Sequence, residues 1–162
     1  MIEVRVEAVL IDNSTNSPVM LLREVAGNRV LPVFIGAAEA SAIAYALEGT
    51  QFVRPLTIDL MRNLISGLSG SVSRVLITKL EQDTFYAEVV LKTGDRLVAV
   101  DARPSDAVGL AVRVGAPIYV AELVMEQAGQ ELSAEDEERL KDLRSRLRAI
   151  DPEDFGTYEI SQ

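Results

Sequence analysis

The segment Asp101-Ala102-Arg103-Pro104-Ser105-Asp106-Ala107 gathers a guanidinium, a hydroxyl and two carboxylates where an alternating apolar stretch gives way to an alanine-containing helical one. A helix start offers unpaired N–H groups and partial positive charge, which suit an anion, while Asp101 and Asp106 suit a divalent ion. The same residues also have a structural use. Pro104 fits the first helical position and Asp106 the third, and Glu39 holds the corresponding place in an earlier helix. By spacing alone, helix-start duty is the commoner one. A second constellation, Arg54-Pro55-Leu56-Thr57-Ile58-Asp59, leads a proline-containing loop into a helix. It could bind phosphate, or Thr57 could cap the helix, again the more frequent use.

The rest of the composition narrows the chemistry. The chain of 162 residues has no Cys and no His, which removes disulfides, thiolate chemistry, histidine bases and zinc–imidazole sites. Carboxylate, hydroxyl, Lys and Arg remain, and any metal is then a hard, oxygen-preferring ion such as magnesium or manganese. With 16 Lys+Arg against 25 Asp+Glu the net charge is −9, which opposes phosphate backbones unless basic groups gather on one face. No phosphate-cradling loop of standard spacing is present, and Ser66-Gly67-Leu68-Ser69-Gly70 reads as a helix end and a turn.

The elements that must position these groups recur. Strands at 4 to 11, 19 to 25 and through Ile35 precede a helix from Ala37 to Leu47. Strands at 72 to 80, 84 to 92 and through Val100 precede a helix from Pro104 to Val114. An offset of 67 superposes the halves without a gap, pairing Gly27 with Gly94, Arg29 with Arg96 and Glu39 with Asp106. Between them a helix capped by Thr57 is expected to carry Leu60, Leu64, Ile65 and Leu68 on one face. A short strand from Ile118 to Ala121 and a turn or short helix ending near Gly129 follow. The tail helix is capped by Ser133, with Asp136 three residues on and a stripe of Leu140, Leu143, Leu147 and Ile150.

Taken in order and spacing, Leu31-Pro32-Val33-Phe34-Ile35-Gly36, Glu39-Ala40, Arg54-Pro55-Leu56-Thr57, Thr84-Phe85-Tyr86-Ala87, Ala102-Arg103-Pro104-Ser105-Asp106-Ala107 and Ala116-Pro117-Ile118-Tyr119-Val120 resemble the bifunctional nuclease domain of bacteria and plants. The likeness spans about residues 4 to 128, and Asp151-Pro152-Glu153-Asp154-Phe155 is similar to the ending of some actinobacterial relatives. It implies hydrolysis of DNA and RNA with a divalent cation. One departure matters: Ile58 stands where the family often has His, so a mechanism needing that imidazole is closed to this chain.

The expectation is therefore an α+β fold of duplicated βββα units (4–49 and 71–116) around a shared core. Residues 1–128 form the domain and 129–162 a helical tail. Asp106, Arg103 and Ser105 are the expected catalytic groups. Arg54, Thr57 and Arg103 hold substrate, and Asp101, Asp106 and Asp59 hold Mg or Mn. The rival expectation is a non-catalytic oligomeric module that recognises a small anion or a protein. A homo-oligomer in the cytoplasm is expected. No membrane span is, since the most apolar stretch, Val30 to Leu47, is broken by Pro32, Gly36 and Glu39.

Overall fold

The computed structural model describes residues 1–147. In chain order it contains β1 (Ile2–Ile11), β2 (Pro18–Glu24), β3 (Arg29–Phe34), α1 (Ala37–Glu48), α2 (Thr57–Gly67), β4 (Gly70–Glu81), β5 (Thr84–Thr93), β6 (Arg96–Ala102), α3 (Pro104–Val114), β7 (Ile118–Val120), α4 (Glu122–Ala128), β8 (Gln130–Glu131) and α5 (Ala134–Leu147). All eight strands join one sheet, ordered β6-β5-β4-β7-β1-β2-β3-β8. The strand and helix bounds expected for the two βββα stretches fall within two residues of these. No helix among the described residues is long and apolar enough to cross a membrane.

Local chemistry explains the turns. Between β1 and β2 the Asp12 carboxylate accepts bonds from the N–H groups of Ser14 (2.7 Å) and Thr15 (3.0 Å) and from the Ser14 hydroxyl (2.6 Å), which closes the turn and lowers the Asp12 pKa. Between β4 and β5 only Gln82 and Asp83 intervene, both at positive φ (47° and 59°), a twist that suits a two-residue hairpin.

The order β-β-β-α occurs twice, and each antiparallel meander runs outward from β7, which lies parallel to β4 and antiparallel to β1. Shifting by 67 carries β3 onto 96–101, inside β6, and α1 onto 104–115, which α3 matches to within a residue. Both helices stop at a left-handed glycine, Gly49 (φ 68°) and Gly115 (φ 71°). Gly115→Ala should therefore cost about 1 kcal/mol in thermal unfolding through its backbone conformation alone, since nothing lies within 4 Å of the added methyl. Small residues let α1 and α3 meet closely: Ala40, Ile43, Ala107 and Ala111 are all fully buried, in one core cluster with Met20, Leu22, Leu31, Val75 and Ile77.

Two expectations for α2 need correction. Thr57 is the first helical residue rather than the cap, and Leu56 occupies the cap position, its N–H bonded to the Asp59 carboxylate (3.1 Å). The expected apolar face also splits. Ile58, Met61 and Ile65 pack on the core, whereas Leu60, Leu64 and Leu68 face outward. Five apolar residues spread over about three turns had too little pattern to show which side the core would take.

In the tail, Ser133 and Asp136 cap α5 reciprocally: the Ser133 hydroxyl accepts from the Asp136 N–H (3.2 Å), and the Asp136 carboxylate accepts from the Ser133 N–H (3.2 Å) and hydroxyl (2.6 Å). Leu140 is buried and Glu137 pairs with Arg23 of β2 (2.7 Å), so this part of the helix packs back on the sheet. Ile150 and the Asp151–Phe155 segment lie outside the described residues.

Candidate functional site

Strand β6 delivers the chain to Arg103, the extended cap residue of α3 (φ −72°, ψ 147°), and Pro104 then starts the helix with the φ it already prefers. Because α1 packs on α3, the first turn of α1 supplies a second acid to the same place. The Arg103 guanidinium bonds Asp106 through Nε (2.7 Å) and Nη2 (3.0 Å) and Glu39 through Nη1 (2.9 Å). It thereby joins the third residues of both helices. The Asp106 hydrogen bond, followed by its charge and by Glu39, raises the Arg103 pKa well above its usual value, so the cation is permanent.

A guanidinium carries five N–H groups, and these contacts use three. The side chain remains 66% exposed. Arg103 borders a groove of about 640 Å³. Its polar wall carries Thr15 and Ser17 from the β1–β2 turn, Asp83 and Thr84 at the start of β5, and the buried Ser105; Phe34 and Phe85 supply apolar surface. Neither helix has a side-chain cap bond at this end, so the dipoles of both favour an anion there. A permanently charged fork, hydroxyls and an exposed aromatic ring are the components that hold a phosphate together with a flat group attached to it.

The other expected site residues lie elsewhere. Asp59 is buried against Arg113 of α3: Nε lies 2.9 Å from Oδ1, though its N–H is not aimed at that oxygen, and the other carboxylate oxygen takes the Leu56 N–H. Arg113 also donates to the Thr50 carbonyl (3.1 Å). This pair lines a separate groove of about 390 Å³ with Arg62 and Asn63, beside the loop that holds the exposed Arg54. Asp101 is exposed on β6 opposite Glu88 and does not line the Arg103 groove. Among the described residues no three acidic side chains come together as a metal-binding group. Asp59, Asp101 and Asp106 thus do not fit a shared resident ion, since Asp106 is forked by Arg103 and Asp59 is engaged by Arg113.

Ile58, at the position of the family's frequent His, is buried against α3, where a methyl on Gly109 would lie 2.5 Å from its Cδ1. Glu39, read from the sequence as an ordinary first-turn acid, is part of the Arg103 cluster. Its alignment with Asp106 across the 67-residue offset was the available signal. Thr15 and Ser17 carried no signal, and Thr84 only its place in the Thr84-Phe85-Tyr86-Ala87 motif, because only the folded sheet brings two turns to one helix end.

The chain also has relatives among known proteins. A model of the bifunctional nuclease domain matches residues 20–133. An uncharacterized protein of Mycobacterium tuberculosis is 43% identical, over 94% of this chain and 97% of its own length. Plant proteins named bifunctional nuclease 2 match more distantly: that of Arabidopsis thaliana is 29% identical over 65% of this chain, and that of Oryza sativa 31% over 68%. The aligned regions amount to 33% and 35% of those two plant proteins.

Proposed function

The chain belongs to the bifunctional nuclease domain family, and from that premise we propose that it hydrolyses phosphodiester bonds of DNA and RNA at the Arg103 groove. The observation that carries this reading is the Arg103 fork, held by carboxylates on two helices with two N–H groups left over. A phosphate on those groups meets preorganised donors, which act on its developing charge without any rearrangement of the protein. Ser105 and the first-turn N–H groups add donors. Glu39, whose Oε1 holds the guanidinium, can take a proton from an attacking water as its oxygen bonds to phosphorus and the ester bond breaks, the leaving oxygen taking a proton from solvent. Phe34, 58% exposed, offers a stacking surface that accepts any base, consistent with a substrate range covering both nucleic acids.

One observation favours a second reading, a non-catalytic module that recognises a small anion. Two carboxylates surround one guanidinium in a chain of net charge −9, which weakens attraction for a polyanion. Cleavage of labelled single- and double-stranded DNA and RNA decides between the two, with Mg²⁺, Mn²⁺ or EDTA present and an Arg103→Gln protein purified identically. Nuclease action predicts cleavage by the wild-type protein that the variant lacks. Equal cleavage by both preparations, or none by either, rejects it. The EDTA arm shows whether a metal is required.

The same groove predicts a salt effect. Oligonucleotide affinity should fall as salt rises, with the shallow slope of one or two phosphate contacts rather than the steep one of a basic channel. Fluorescence anisotropy across a salt series reads that slope.

A further inference from the structure

Helix α2 buries only part of its apolar surface. Leu60, Leu64 and Leu68, spaced by four, are 49%, 57% and 79% exposed, while Ile58, Met61 and Ile65 face the core. Single exposed leucines are ordinary, but three in one ridge, preceded by the exposed Leu56, form a patch of the kind that marks an interface.

Charge identifies the occupant. From Thr57 to Gly67 the only ionisable groups are Asp59, buried on Arg113, and Arg62. The ridge therefore presents no exposed carboxylate, although the chain carries −9 overall. Such a face offers little to a charged partner, and it is where two copies of so acidic a chain can meet without like charges opposing each other.

We propose that a second copy of this chain covers the ridge, the two α2 helices crossing on a two-fold axis near Leu64, with Leu60 of each copy against Leu68 of the other. Identical ridges of residues four apart interlock in the commonest mode of helix packing, and a two-fold axis makes one patch its own complement. Gly67, with nothing within 4 Å of an added Cβ, leaves room for the second helix to approach. This inference stands apart from the nuclease reading. The open edge of β6, with Leu97, Val98 and Val100 exposed, is the competing face for self-association.

Sedimentation equilibrium on the full chain tests it. The wild-type protein should show twice the 17.6 kDa chain mass. Leu64→Glu, at an exposed position that leaves the circular dichroism unchanged, should raise the dissociation constant at least about 100-fold. Leu64→Met and Val98→Lys should remain dimeric, and added salt should strengthen the dimer by screening the net charge. A monomeric wild-type protein in the most concentrated samples, a Leu64→Glu protein that stays dimeric, or a dimer lost in Val98→Lys but kept in Leu64→Glu would overturn the proposal.

Discussion

Asp59→Asn is expected to destabilise the protein by about 3 kcal/mol and to lower its melting temperature by about 10 °C. The cause is the partner left behind. Asp59 and Arg113 are only 11% and 9% exposed in their side chains, so the guanidinium would stay in a poorly hydrated place with no counter-charge. The Leu56 N–H would lose its charged acceptor at the start of α2 as well. Replacing both partners, Asp59→Leu with Arg113→Met, should recover most of the loss, because removing a buried pair together spares the uncompensated charge. Thermal and urea melts of the three proteins check this. Activity per folded molecule should be unchanged in all of them, whereas a metal-ligand role for Asp59 requires that it disappear in Asp59→Asn even well below the melting temperature.

Arg103→Gln should behave in the opposite way. Its pairs with Asp106 and Glu39 are surface pairs on a side chain 66% exposed, so stability should change by no more than about 1 kcal/mol. Cleavage should fall by about 10² to 10³-fold in kcat/KM, the usual cost of removing one preorganised donor from a developing negative charge. Arg103→Lys keeps the charge and loses the fork, and should recover only part of the activity. A purely structural Arg103 predicts something else: activity lost only in step with unfolding, and Lys as good as Arg.

The fold was readable because its signals are local. Alternation marks the start of β1, the Gly94-Asp95 turn separates β5 from β6, and Pro104 and Gly115 bracket α3 through their own backbone preferences. The two-residue β8 was not readable. It forms only because α4 returns the chain to the open edge of β3, pairing Arg29 with Glu131 and Val30 with Gln130. The same limit governs the site. Arg103, Ser105 and Asp106 lie within one turn and announce themselves, whereas Glu39 is 64 residues from Arg103 in the chain and reaches it only because α1 and α3 pack through alanines. Asp59 looked like a site residue because a carboxylate at a helix start reads identically whether it meets a ligand or a distant Arg113. The outward turn of Leu60, Leu64 and Leu68 was hidden for a related reason, since an apolar ridge looks the same whether it covers this core or a second copy.

The most direct measurement is an amide NMR titration of the wild-type protein with a short cleavage-resistant phosphorothioate oligonucleotide, followed to saturation. The Arg103 groove as substrate site predicts the largest shifts at the starts of both helices, Gly36 to Glu39 and Ser105 to Asp106, and at Thr84 and Phe85, with all of them abolished in Arg103→Gln. Shifts centred instead on Thr50 to Asn63 around Arg113, or no saturable shifts at all, would contradict it.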